Sequence, residues 1–386
     1  MNKDYRFQKV LIIPVYLKLN KPDEIPASEG ISLLKRAIES LFILEDNELT
    51  IIAVFCIDTP SWQDEFDTVL RKTVAGFSLK FPLIIFTEKN LKSLKEYLKG
   101  RGYGKMADKL SACGYSNIRN CGLVAANTLG ADAVIFIDND EVIEDKEFLK
   151  TAGEYAGADY NGIKVDGKGG FYISEKGEIV EKPFFHWWQI LWNKSKLISE
   201  TMKKILNAYE RLVESPIILG GNLVLHKNLF SIIPFDPLIP RGEDIDYLIN
   251  SKRMGFNILF DKKLRIKHLP PQRTVAFRKS ELKGDIERFL YEREKIKGAD
   301  ISLNPYPGYF LKNTLPLKAI LTIHLLALHL LLRLKIKDAI EILNLKNLLF
   351  LRWDNAWQGY LEFQKEWARL MNFITENRDD IIPLIQ

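Results

Sequence analysis

Five apolar residues, Ala133-Val-Ile-Phe-Ile137, run straight into Asp138-Asn139-Asp140-Glu141, and this junction constrains the fold more than any other feature of the chain. A strand apolar at every position, rather than at alternate ones, is covered on both faces, as strands of parallel α/β sheets are. Similar short runs occur at residues 10–13, 51–56 and 83–86. Helix-like spacing separates them, at 28–44, in the polar segment after Asp58, and in a region running through 117–129. Alternation of this kind predicts an α/β sheet with helices packed against it.

From residue 160 to 180 the texture turns Gly-rich and alternating, which predicts one or two β-hairpins. An aromatic-rich helical piece is expected at 184–192, strands at 216–219 and 223–225, a helix at 243–254, and short strands at 258–260 and 264–267. Pro270-Pro271 marks a break. Beyond it only helices are expected, at 279–297, 315–334, 337–349 and 354–371. The division predicted is a sheet domain over residues 1–271 and an all-helical domain over 272–386. Residues 319–332, AILTIHLLALHLLL, are nearly all apolar but fall short of the roughly 20 residues a spanning helix needs. Two readings stand for the 315–334 segment: a helix buried in protein, or a peripheral contact with a membrane surface. The helical domain is also the candidate surface for self-association.

Composition enters as a filter. With 47% hydrophobic and 27% charged residues the chain can bury a sizeable core and is not a disordered composition. Its 55 basic and 50 acidic side chains leave a net charge of only +5, which argues against a dedicated nucleic-acid binder. Cys56, Cys113 and Cys121 show neither CxxC spacing nor the density of a disulfide framework, as in reduced intracellular proteins. Residues 1–8 are polar and carry no secretory-type apolar run. The expected location is the cytoplasm, with any membrane contact on the inner face.

The chemistry begins at the Asp138–Asp140 turn. Two carboxylates one residue apart, directly after a buried strand, sit at the carboxyl edge of a parallel sheet, outside which ligands of open α/β sheets bind. Such a turn can direct both carboxylates to one hard cation, Mg2+ or Mn2+, which in turn bridges diphosphate oxygens. A cation there neutralises the charge that develops on a departing nucleoside diphosphate. The plain alternative is an acidic surface turn.

Asn117-Ile-Arg119-Asn120-Cys-Gly122-Leu123 lies one helix upstream. In that order, Arg-Asn-x-Gly-Leu, helix, strand, Asp-x-Asp, the segment resembles family 2 glycosyltransferases of the GT-A fold. Ile12-Ile13-Pro14-Val15-Tyr16 is similar to that family's opening strand and first nucleotide-contacting loop, and Asp58 falls where its base- or ribose-binding acid does. Gly220-Gly221-Asn222 and Arg241-Gly242-Glu243-Asp244 resemble its acceptor-side motifs. The resemblance covers residues 9–270, and the order and spacing of the motifs carry it.

The resemblance implies an enzyme, a metal-dependent hexosyltransferase of GT-A (Rossmann-like, mixed and mainly parallel) fold. It implies a nucleotide-sugar donor and a hydroxyl acceptor and favours an inverting displacement, although retaining GT-A families share the same metal turn and the anomeric outcome stays open. Pro14, Tyr16, Asp58, Arg119 and Asp138 would then bind the donor. Asp138, Asp140 and His268 would hold the metal, with Asp140 the stronger candidate for a direct ligand. Asp244 would be the general base and Glu243 would orient the acceptor or the donor sugar. Gly220, Gly221, Asn222, Arg241 and Trp188 would face substrate. Each has a bland counterpart: Glu243 and Asp244 as first-turn helix acids, Gly220-Gly221 as a tight turn, His268 as a hydrogen-bonded structural residue, Trp188 as part of a core-facing stripe with Leu191 and Trp192.

Two departures narrow the reading. The acidic pair usual after the second strand is only Asp58-Thr59-Pro60, and no Gln-x-x-Arg-Trp motif of processive synthases occurs, which points to transfer of a single sugar. A sugar nucleotidyltransferase would share fold and metal but opens with a glycine-rich loop, and no glycine precedes Gly30. A GxGxxG dinucleotide fingerprint is missing as well. A non-catalytic sugar-nucleotide-binding or membrane-associated scaffold is the remaining alternative.

Overall fold

The computed structural model describes residues 7–46, 48–57, 63–180, 183, 185–271 and 279–386. Eleven strands occur among them: β1 (Lys9–Leu17), β2 (Thr50–Ile57), β3 (Leu83–Phe86), β4 (Ala133–Phe136), β5 (Glu141–Val142), β6 (Asp159–Tyr160), β7 (Ile163–Lys164), β8 (Gly167–Ile173), β9 (Leu212–Glu214), β10 (Leu223–His226) and β11 (Ile258–His268). Nine form one mixed sheet in the order β3-β2-β1-β4-β10-β8-β11-β5, with β9 added on β11. The first four pair in parallel, β10 runs antiparallel between β4 and β8, and β8 pairs with β11 in parallel. β6 and β7 form a separate two-stranded hairpin.

The apolar runs are buried on both faces. Val10 and Ile12 of β1 enter one core, while Leu11, Ile13 and Val15 enter the other, which is the period-2 alternation of a covered strand. Chain order reverses between β1 and β4, and this is where a doubly wound sheet opens a crevice. Pro14 sits at that opening. The β1–β4 ladder stops at Ile12, so a residue with no N–H to donate falls where β1 has lost its neighbour on one side.

Two expected strands took other forms. Residues 216–219 are irregular, though Ile217 and Ile218 are buried; the pairing edge is used instead by β9, whose Leu212 and Val213 lie opposite Asp261 and Phe260. The strands expected at 258–260 and 264–267 are one strand, β11, with a register irregularity between Phe260 and Arg265. Among the described residues of the 184–192 piece, the helical part is a 3-10 turn at Trp187–Gln189.

Beyond residue 271 the described chain is helical, and its helices share cores with the sheet. Leu282, Ile286, Phe289 and Phe310 pack with Phe171, Ile217 and Phe260. The helix Ala356–Glu376 returns to the opposite side, where Trp367, Leu370 and Met371 join the core that holds Val10 and Ile12. Trp367 donates its indole N–H to Phe230 O at 2.9 Å, and Asn127 donates to Met371 O at 2.8 Å.

Candidate active site

At the carboxyl edge of the parallel strands lies an open cleft of about 640 Å³. Its lining brings together Pro14, Tyr16, Arg119, Asp138, Asp140, Gly220, Arg241, Glu243 and Asp244, residues that lie as many as 230 positions apart in the chain. One side chain ties these segments into a unit. The buried Arg119, on the helix Tyr115–Thr128, donates from Nε to Glu243 Oε1 at 3.0 Å, from Nη1 to Gly220 O at 2.9 Å and from Nη2 to Asp138 Oδ1 at 3.0 Å. Burial works against its charge, but Asp138 and Glu243 outweigh that and raise its pKa above the ordinary arginine value. Asn120, the next residue, fixes the helix by exchanging two hydrogen bonds with the backbone of Phe235.

The acidic turn is built by strand pairing. β5 pairs with the end of β11, setting His268 opposite Glu141 and Lys267 opposite Val142. His268 Nε2 thereby comes within 3.5 Å of Asp140 Oδ2, although the two are 128 residues apart. The His268 ring stacks on Tyr172 of β8, centroids 4.9 Å apart. Glu141 turns inward, accepts the Asp138 N–H at 2.7 Å, and is pushed well above the usual carboxylate range by burial. Desolvation also raises Asp138, against the lowering influence of Arg119.

The opposite wall starts at Gly242, whose φ of +70° is the left-handed conformation that glycine adopts at little steric cost. The helix Glu243–Arg253 follows immediately. Asp244 accepts N–H groups from Gly220 at 3.1 Å and Ile245 at 2.8 Å. Burial, with the neighbouring Glu243 charge adding to it, pushes its pKa up to about 6. Gly220 and Gly221 are glycines because of what lies against them. A Cβ at Gly220 would stand 2.7 Å from Arg119 Nη2, and one at Gly221 would overlap the Glu141 carboxyl.

Not every candidate lies at the cleft. Asn222 is buried in the sheet, donating to Phe171 O and Leu264 O. Trp188 is buried in the core beneath the C-terminal helices. Gly221 sits behind the wall, its N–H donating to Tyr172 Oη at 2.8 Å. Asp58 lies outside the described residues. Conversely, the cleft uses residues without a signal in the sequence. Tyr115 meets Tyr16 with ring centroids 5.2 Å apart, and Glu281, Lys283, Gly284 and Glu287 of the helix Lys279–Lys295 close one side. Glu141, buried behind the turn, could have been found as its third acid.

Among the described residues, six carboxylates line the cleft (Asp138, Asp140, Glu243, Asp244, Glu281, Glu287) beside three cationic side chains, Arg119, Arg241 and Lys283. Among the described residues no three His, Cys, Asp or Glu side chains form a ready cage. Asp140 and Asp138 offer carboxylate oxygens of the kind that suits Mg2+ or Mn2+, and His268, 3.5 Å from Asp140, adds an imidazole nitrogen, a donor more typical of softer divalent metals. Mg2+ commonly takes only one or two protein carboxylates and completes its shell with substrate phosphate.

Fold and cleft together define a Rossmann-like α/β domain built on a mixed sheet, with a helical C-terminal region. No family model matches the chain, and no curated protein matches it. Among solved structures, the mannosyltransferase PcManGT from Pyrobaculum calidifontis, in complex with GDP-Man and Mn2+, is similar at 12% identity, covering 97% of this chain and 88% of that one, with a TM-score of 0.48. S. aureus TarS is similar at 13% identity over 96% of this chain and 55% of that one, TM-score 0.41. GalNAc-T7 with UDP, GalNAc and Mn2+ is similar at 13% identity over 80% and 54%, TM-score 0.41. At these scores the likenesses carry no argument, and the reading below rests on the cleft itself.

Proposed function

We propose that the chain is a metal-dependent glycosyltransferase that moves a single sugar from a nucleoside-diphosphate sugar to a hydroxyl acceptor with inversion. The observation that carries this is the Arg119 fork, which joins the acidic turn at Asp138 to Gly220 and to the Glu243-Asp244 helix start within one anionic cleft. A donor half and an acceptor half are thus held at fixed separation by a single guanidinium, and fixed geometry between reactants is a major source of catalysis.

On this reading Asp140, His268 and Asp138 hold Mg2+ or Mn2+, which supplies charge neutralisation for the diphosphate leaving group. Tyr16 and Tyr115 present ring faces to the donor base, beside Pro14. Asp244 takes the proton from the acceptor hydroxyl as that oxygen bonds to the anomeric carbon and the bond to diphosphate breaks. With its pKa at about 6 this carboxyl is both ionised and basic near neutrality, where a general base works best. Glu243, held by Arg119, and Arg241 at the rim orient the reactants.

The test is donor binding across a nucleotide-sugar panel with and without Mn2+ or Mg2+, beside Asp140→Ala. The reading expects at least one donor to bind in a metal-dependent way and Asp140→Ala to abolish that dependence. Binding of no nucleotide sugar, with metal changing nothing, would sink it.

A further inference from the structure

The helix Leu315–Leu331 is apolar almost all round, but only one side of it is covered. Ala319, Ile323, Leu326 and Ala327 pack inward with Ala339 and Ile342 of the following helix Ile336–Leu343. The outward sides leave Leu328, Leu332, Leu334, Ile336, Ile340 and Phe350 exposed, Leu334 at 86% and Phe350 at 81%. The exposed Trp187 borders this surface and donates its indole N–H to His329 at 3.1 Å. Single exposed apolar residues are ordinary on protein surfaces, but a contiguous patch of large ones marks an interaction site.

Its charge says what kind. Residues 312–352 hold seven Lys and Arg (Lys312, Lys318, Arg333, Lys335, Lys337, Lys346, Arg352) and two acids, Asp338 and Glu341, a net of +5 that equals the net charge of the whole chain. Glu341 is already engaged by Lys279 at 2.8 Å. Within residues 332–337, Leu-Arg-Leu-Lys-Ile-Lys, apolar and cationic side chains alternate, all six of them exposed. We propose that this face docks in the plane of an anionic lipid bilayer. The apolar side chains enter the acyl boundary, and Arg333, Lys335 and Lys337 reach the acidic headgroups, as long cationic side chains do beside apolar surface. Among the described residues no helix is long and apolar enough to cross a membrane. A second copy of the chain is the poorer occupant, because a two-fold contact sets the same +5 segment against itself.

The docking face adjoins the cleft. Lys279, which pairs with Glu341 on the docking helix, begins the helix whose Glu281, Lys283 and Gly284 line the cleft wall.

The test is co-flotation of the full chain with vesicles of phosphatidylcholine alone or of phosphatidylcholine mixed with phosphatidylglycerol. The wild type is expected to float with the mixed vesicles about tenfold more than with the neutral ones, and less as salt is raised. Leu334→Glu/Ile336→Glu/Phe350→Glu is expected to lose flotation at an unchanged Tm. Lys335→Glu/Lys337→Glu reverses two charges, leaves the apolar side chains in place, is expected to lose the preference for the mixed vesicles, and decides the matter if the triple variant does not fold. Failure of the wild type to float with either vesicle overturns the proposal. So does light scattering that shows a dimer which these substitutions convert to monomer.

Discussion

β8 and β11 pair in parallel, and the two ends of this one pair carry charged clusters of opposite character. Near their beginning, Lys168 of β8 meets Asp261 of β11 at 3.1 Å with both side chains fully buried, and Arg211 bonds Asp261 through Nε and Nη2 and also pairs with Glu154. Two cations face two carboxylates. Burial alone would raise Asp261, but the bonds from Arg211 and the charge of Lys168 outweigh it and hold the carboxyl below its usual range. At the other end Tyr172 lines the cleft with His268 stacked on it, and there the described carboxylates outnumber the cations and both Asp138 and Asp244 are held high. Charge is matched within the sheet at one end, and at the other a surplus of described carboxylates faces the cleft on which the proposed function rests.

Four measurements press on that contrast. The largest effect is expected at the unmatched end. Asp244→Asn should lower kcat by ~10²–10⁴ while metal-dependent donor binding stays within twofold, since it removes a base and no donor contact. Equal losses in binding and turnover would make Asp244 a structural cap instead.

At the matched end, Asp261→Ala leaves Lys168 buried without its carboxylate and should destabilise the fold by about 3–5 kcal/mol, read by urea denaturation. The folded fraction should still bind donor. An unchanged midpoint would mean that Lys168 is relieved by its other bond, to Thr151 O.

Gly221→Ala lies between the two clusters in kind. Its Cβ would push on the Glu141 carboxyl, so a loss of about 1–3 kcal/mol from overpacking is expected. Weakened metal dependence should accompany it, because Glu141 accepts the Asp138 N–H. Loss of stability with metal affinity intact would uncouple that wall from the acidic turn.

The smallest effect is a pH limb. Asp244, with its pKa raised to about 6, is protonated below that value and ionised above it. Measured kcat/KM should therefore fall about tenfold per pH unit below pH ~6 and level off above it. Asp244→Asn should lose that limb. A profile flat to pH ~5 would remove Asp244 from the role of base.

Much of this protein is legible in its residues, and the reasons are local. Continuous apolar runs at 10–13, 51–56, 83–86 and 133–137 specify strands covered on both faces, because a strand with a wet face would alternate. The acids at 138, 140, 243 and 244 mark turn and helix start through side chains that act where they stand. Other features were invisible because they exist only after distant segments meet. The pairing of His268 with Asp140 depends on two residue pairs between β5 and β11. Glycine at 220 and 221 could be read as a turn, yet the reason for it is the approach of Arg119 and Glu141, 101 and 80 residues away in sequence. The helix Lys279–Lys295 carries no motif, and it joins the cleft only because Leu282, Ile286 and Phe289 bury against the sheet's third core. Sequence determined which elements form and which groups can do chemistry, since propensity, burial pattern and ionisation belong to single residues and their near neighbours. Tertiary structure decided which of those groups share a cleft and how far burial shifts them, since distance and desolvation belong to the packed chain alone.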